Sequence, residues 1–165
     1  MIDPPWKLSS PDPTRGVTIA YETMSDAQIS GLNISCLQDN GYLFIWTINS
    51  KFKDCFKLMT IWGYEFCDEI CWAKESLKGK LIKGNGFYLQ HAKESCLIGK
   101  KGNPRKSEKG KEIGDCIFSK RRGQSQKPDE IYEMIETLVP DGYYLEIFGR
   151  RNNLRNSWIT IGNEL

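Results

Sequence analysis

Apolar and polar positions along this chain change period several times, and each change marks an element. Gly41 opens Tyr42-Leu-Phe-Ile-Trp46-Thr-Ile48, an apolar run with no polar alternation. Such runs are strands covered on both faces, the pattern of a parallel sheet. Phe52, Cys55, Phe56 and Met59 then recur at i, i+3, i+4 and i+7, which predicts an amphipathic helix ending at Gly63. Further strands are expected over 65–73, 91–98 and 115–118. Ser25-Asp-Ala-Gln28 has the form of a capping box, so a short helix should start there and bury Ile29 and Leu32. Lys127-Pro-Asp-Glu130 opens another helix, with proline in the first turn and two acids at the positive end of the dipole. Its buried face is Ile131, Met134, Ile135 and Leu138, and Pro140-Asp-Gly142 turns the chain into strands over 143–148 and 158–161. Residues 7–20 and 74–90, rich in proline, lysine and glycine, read as loops.

Strands alternating with helices predict a single α/β domain over residues 1–165: an open, mostly parallel sheet with helices on both faces. Ligands of such sheets bind at the carboxyl ends of the strands. Three polar clusters fall at predicted strand ends: 3–6, 149–153 and 162–164. Neither G-x-G-x-x-G nor a P-loop is present, which argues against a dinucleotide or nucleoside triphosphate site.

Composition narrows the class. The longest apolar run, 42–46, is too short to cross a membrane. Six cysteines occur without a C-x-x-C, and His91 is the only histidine. Reduced, buried thiols, no metal site and an intracellular setting are expected. Total charge is +2, but residues 100–123 hold nine Lys or Arg against three acids, leaving about −4 for the rest. This glycine-rich basic loop suits phosphate contacts, with Lys100, Lys101, Arg105, Lys106, Lys120, Arg121 and Arg122 as candidate nucleic-acid ligands.

The stretch Asp3-Pro4-Pro5-Trp6 is the sharpest chemical signal. Two prolines fix two φ angles and remove two donors, so the run is a stiff loop rather than helix or central strand. It offers the Asp3 carboxylate, two prolyl carbonyls without strand duty and the Trp6 π face. That set suits a flat ring bearing an amino group: the aromatic stacks, and the carboxylate and a carbonyl accept the amine hydrogens.

Together with Tyr21-Glu-Thr-Met-Ser25, Trp62-Gly-Tyr, His91-Ala-Lys-Glu94, Lys100-Lys-Gly-Asn-Pro104, Lys127-Pro-Asp-Glu-Ile-Tyr132, Glu146-Ile-Phe-Gly-Arg150 and Trp158-Ile-Thr-Ile-Gly-Asn163, this stretch resembles the catalytic domain of the eukaryotic mRNA N6-adenosine methyltransferase family, which includes DNA-adenine-methylating relatives. The resemblance covers residues 2–165 in order. It implies a Rossmann-like methyltransferase fold, S-adenosylmethionine as cofactor, and methyl transfer to adenine N6 in nucleic acid, with RNA favoured over DNA. On this resemblance Asp3, Pro4, Pro5 and Trp6 are catalytic and Tyr21 and Glu94 contact adenine. Asp3, Lys127, Arg150, Asn152, Asn153, Asn163 and Glu164 hold the cofactor, and no metal takes part. A heterodimer with a degenerate homologous subunit and a nuclear location are implied as well.

Asn152 and Glu164 stand where the family usually has His and Gln. Only Met1 and Ile2 precede Asp3, where the family has a buried strand. Either the chain is a fragment, its domain incomplete at the N-terminal strand, or it lacks that central strand and part of its cofactor wall; weakened or absent activity is expected of it in isolation. Two functions follow: an adenine-N6 methyltransferase, or a catalytically impaired nucleic-acid-binding or scaffolding subunit.

Overall fold

The computed structural model describes residues 1–7, 22–86, 88–123 and 125–165. Six strands form: β1 (Gly41–Thr47), β2 (Glu65–Glu75), β3 (Lys93–Lys101), β4 (Cys116–Lys120), β5 (Tyr144–Ile147) and β6 (Trp158–Ile161). The order β1-β3-β2-β4 makes one ladder and β5-β6 another. Ile2 joins them, bridging Ile45 and Ile147, both in parallel. Its N–H donates to the Phe44 carbonyl at 2.8 Å, and its own carbonyl accepts from Trp46 N–H at 3.0 Å. On the other side Ile147 N–H reaches the Met1 carbonyl at 3.0 Å, and Asp3 N–H the Ile147 carbonyl at 3.4 Å. Residues 1–3 thus join the two ladders through hydrogen bonds on both edges, as isolated bridges at Ile2 and not as a full strand.

The expected mostly parallel sheet is corrected to a mixed one. β3 runs antiparallel to both β1 and β2, while β2-β4, β5-β6 and both Ile2 pairings are parallel. All other strands consequently share one direction, and β3 alone is reversed. An unbroken apolar run reports cover on both faces, not the direction of its neighbours. β1 has that cover: Leu43 and Ile45 join one core cluster, Phe44 and Trp46 the other.

Helices α1 (Asp26–Ser30) and α2 (Phe52–Ile61) contribute Ile29, Cys55, Leu58 and Met59 to the first cluster. Helix α3 (Glu130–Leu138) contributes Ile131, Tyr132 and Ile135 to the second. The predicted capping box is present, with the Ser25 side chain accepting from Gln28 N–H and the Gln28 side chain accepting from Ser25 N–H. In α3 Met134 and Leu138 are only partly buried, and Tyr132 is fully buried instead. The thiols are free, but only Cys55 and Cys96 are buried, whereas Cys36, Cys67 and Cys116 are exposed. Hydrophobic neighbours in sequence do not fix which face a cysteine takes. Among its described residues the stretch between β2 and β3 is not a simple loop: Glu75 bridges Leu81 and Gly84 bridges His91, both antiparallel. Among the described residues no helix is long and apolar enough to cross a membrane, and no group of side chains is arranged to hold a metal ion.

Candidate active site

The carboxyl ends of the co-directional strands meet at one edge of the sheet, and the reversed β3 brings its first residues to that same edge. Asp3 leaves the sheet beside Phe148-Gly149-Arg150, which follow β5. Arg150 and Glu164 pair past the ends of β5 and β6. A cleft there is lined by Asp3, Pro4, Pro5, Glu22, Phe148, Gly149, Arg150, Asn163 and Glu164. Phe148 adopts a φ of 64°, a conformation that costs a bulky residue of the order of 1–2 kcal/mol. The turn swings the chain out of β5 so that Gly149 can approach β6, where its N–H donates to the Ile161 carbonyl at 3.0 Å.

Behind Asp3 lies a chain of charges. Lys127 Nζ donates to Asp3 Oδ2 at 2.7 Å and stands 3.3 Å from Glu94 Oε2. Glu94 Oε1 accepts from Lys74 Nζ. The Lys127 side chain is 7% exposed, those of Asp3 and Glu94 27% and 20%, and the ammonium lies 5.4 Å from the Trp46 ring centroid. Burial alone would lower the Lys127 pKa, yet the two carboxylates outweigh it and hold it above its ordinary value. Burial pushes Asp3 upward, against the pull of Lys127. Burial also acts upward on Glu94, but Lys127 and Lys74 together bring it below the usual range. Four alternating charges thus sum to zero, with Glu94 the more firmly ionised carboxylate.

The loop itself differs from expectation in two respects. Its prolyl carbonyls are not idle: Pro4 accepts from Trp6 N–H and Pro5 from Met24 N–H, each at 2.8 Å. A carbonyl has two lone pairs, so each retains one further acceptor position. Trp6 is 6% exposed and packs into the first core cluster, its indole N–H donating to the Trp46 carbonyl at 3.4 Å. It therefore braces the loop from behind rather than presenting an open stacking face. Tyr21 lies outside the described residues.

On the other wall, Glu146 is 2% exposed, and its Oε1 accepts from Tyr132 O–H at 2.9 Å and Asn153 Nδ2 at 3.4 Å. Glu146 Oε2, Asn153 Oδ1 and Thr160 Oγ1 are buried with no partner among the described residues. Burial raises the Glu146 pKa, opposed by the Tyr132 and Asn153 hydrogen bonds. A Cβ on Gly149 would fall 2.2 Å from Thr160 Cγ2, and one on Gly162 2.1 Å from the Gly149 carbonyl oxygen. Asn163 and Glu164 are exposed at the rim, with Glu164 Oε2 2.9 Å from Arg150 Nε; Asn152 is exposed beyond it. The glycines let β5 and β6 close tightly beneath the cleft, and the unpartnered acceptors lie buried within that wall, next to Gly149. Glu146, Tyr132, Lys74 and Glu22 were not foreseen as site residues. A signal existed for Glu146, a lone acid between Leu145 and Ile147 in an apolar strand.

The predicted basic cluster divides between the two ends of the sheet. Lys100 and Lys101 close β3 at the edge remote from Asp3, Lys100 near Glu65 at 3.4 Å and Lys101 donating to the Ser35 carbonyl at 2.5 Å. Arg105 and Lys106 follow them and are exposed. β4 then returns the chain, so Lys120, Arg121 and Arg122 emerge at the site edge. Nine residues of strand separate the two groups by roughly 25–30 Å. Arg122 is engaged in a fork to Asp129.

Comparison with known proteins agrees with this geometry. The family model described as MT-A70 matches residues 1–164. The catalytic subunit METTL3 of human N(6)-adenosine-methyltransferase is 41% identical over 167 residues, covering all of this chain and 27% of the human protein. The Drosophila melanogaster N(6)-adenosine-methyltransferase MT-A70-like protein is 41% identical over 170 residues, again over the whole chain and 26% of the relative. The Drosophila non-catalytic subunit METTL14 is 32% identical over 139 residues, covering 75% of this chain and 34% of the relative. The chain thus spans about a quarter of the length of the catalytic relatives it matches. With the match running from end to end, through the Asp3 loop, the β5 wall and the Asn163 rim alike, the chain belongs to the MT-A70 family.

Proposed function

We propose that this chain is the methyl-transferring domain of an adenine-N6 methyltransferase acting on RNA. The observation that carries the reading is the Asp3 carboxylate beside the buried Pro4, at the base of a cleft whose rim is Arg150, Asn163 and Glu164. The exocyclic nitrogen of adenine is a poor nucleophile because its lone pair is delocalised into the ring. Asp3 Oδ1 and the second lone pair of the Pro4 carbonyl accept its two hydrogens, which favours a pyramidal nitrogen with its lone pair directed outward. Lys127 opposes the upward push of burial on the Asp3 pKa, favouring a carboxylate that can accept and can stabilise the positive charge developing on the amine. Glu94 and Lys74 fix Lys127 from the other side. S-adenosylmethionine, when bound, supplies an electrophilic sulfonium methyl. Arg150, Asn163 and Glu164, which line the cleft, and Asn153 beside them would hold it in this reading.

The co-directional strands with ligand groups at their carboxyl ends support a Rossmann-like arrangement in which β3 is the one reversed strand. Lys120 and Arg121, exposed at the site edge, are placed to meet substrate phosphates. The likeness to a non-catalytic subunit supports pairing with a degenerate homologue; a nuclear, intracellular setting is part of the same proposal. Higher identity to catalytic subunits, over the whole chain, weighs against a purely scaffolding role. The test is transfer of labelled methyl from S-adenosylmethionine to oligoribonucleotides and oligodeoxyribonucleotides, with and without the homologous subunit. Asp3→Ala should abolish transfer and Asp3→Asn reduce it at least about 100-fold. Undiminished transfer by Asp3→Ala would overturn the reading.

A further inference from the structure

Arg122 was expected among the nucleic-acid contacts, and its surroundings point elsewhere. Its guanidinium donates from one nitrogen to Asp129 Oδ2 at 2.5 Å, and from the other to Asp129 Oδ1 at 2.7 Å and to the Lys127 carbonyl at 2.9 Å. One planar group thus clamps both ends of the three residues 127–129. Between them sits Pro128, fully buried and fixed in φ. Asp129 is the N-cap residue of α3, yet its side chain makes no capping hydrogen bond; both oxygens go to Arg122. Little freedom then remains at the Lys127 Cα, and the side chain leaving it must carry its ammonium to Asp3 and Glu94.

We infer that Arg122 is a positioning residue of the methyl-transfer site, its fork holding residues 127–129 so that the Lys127 ammonium stands between Asp3 and Glu94. This rests on the reading that Asp3 accepts the amine hydrogens. Lysine cannot substitute: a point ammonium cannot satisfy a carboxylate and a carbonyl in one plane. Charged groups facing Asp3 are Lys127 and Glu94 on one side and Arg150 on the other, with Glu22 lining the same cleft. Displacing Lys127 therefore removes the nearest cation, and the Asp3 titration must move to higher pH.

The full chain is compared as wild type, Arg122→Ala, Arg122→Lys and Asp129→Asn. The readouts are the 15N resonance of the Lys127 ammonium, the 13C titration of the Asp3 carboxyl, and kcat and KM for methyl transfer. An unchanged Trp62 indole resonance, from the core cluster on the opposite face of the sheet, certifies folding. Arg122→Ala should broaden or shift the Lys127 signal, raise the Asp3 midpoint by about half a unit or more, and lower kcat about tenfold with KM little changed. Millimolar guanidinium should restore the alanine variant, Arg122→Lys should recover little, and Asp129→Asn should fall between. An unmoved Lys127 signal and Asp3 titration would overturn the inference. So would a loss confined to oligonucleotide affinity with a salt slope reduced by about one, which marks a phosphate contact. Should Asp3→Ala transfer methyl as well as wild type, the methyl-transfer reading fails, while the two resonances still decide the role of Arg122.

Discussion

Replacing Lys127 by methionine tests the charge chain directly. The substitution leaves an unbranched apolar side chain one atom shorter near Trp46, and removes the cation between Asp3 and Glu94. Breaking a buried pair from one side costs about 3–5 kcal/mol. Here the figure is smaller, because Asp3 and Glu94 retain some contact with solvent and Glu94 keeps Lys74. We expect about 2–3 kcal/mol at pH 7, a fall in Tm of about 5–10 °C for a chain of this size. The pH dependence separates this from lost packing. In the wild type Glu94 has a depressed pKa, so its contribution is present above the unfolded value and fades as pH falls through the folded one. In Lys127→Met no cation stands between the two carboxylates: the Asp3 pKa, already raised by burial, rises further, and that of Glu94 moves up against the remaining pull of Lys74. Both upward shifts destabilise at neutral pH, and the penalty shrinks as pH falls toward about 4 and protons replace the missing charge. Denaturant unfolding between pH 4 and 8 measures it. Adding Asp3→Asn should recover at least about 1 kcal/mol at pH 7. A penalty that is constant with pH, and additive with Asp3→Asn, would refute the coupled-charge account.

Gly149→Ala should destabilise by about 1–3 kcal/mol and lower S-adenosylmethionine affinity at least about tenfold by calorimetry, since its methyl meets Thr160 Cγ2 at 2.2 Å. Glu164→Gln loses the ion pair with Arg150 but adds a donor at the rim. Its stability should stay within about 1 kcal/mol of wild type while cofactor affinity improves about threefold to tenfold. Paired Lys120→Gln and Arg121→Gln changes should reduce the salt slope of oligonucleotide binding by about two; Lys100→Gln with Lys106→Gln, at the far edge, should leave it nearly unchanged.

Much of this molecule can be read from local pattern. Ile131 and Ile135 mark the buried face of α3, the Ser25 box marks the start of α1, and Gly41 with its apolar run marks β1. These depend on neighbours within a few residues. What the pattern does not contain is direction. Nothing local says that β3 runs against β1 and β2, so the charge-dense stretch 100–123 reads as one patch, although β3 ends and β4 ends lie at opposite edges. The site is legible where motif residues are contiguous, as at 3–6. It is illegible where partners are far apart in sequence: Lys127 meets Asp3 across 124 residues, and Tyr132 and Glu146 meet across 14. Trp6 illustrates a third limit, since an aromatic beside prolines reads alike whether it stacks on a ligand or braces a loop.

The reversal of β3 has an effect on how this domain can vary. A chain built only of co-directional strands delivers each strand to the functional edge at its end, so every change in a following loop also displaces the next helix. Here β2 ends and β3 begins at that same edge, so the arm between them has no sheet to cross. Its length and content can therefore drift without shifting the register of either strand. Residues such as Lys78, Lys80 and Lys83, exposed on this arm, can be exchanged while Glu94, early in β3, stays where the sheet holds it.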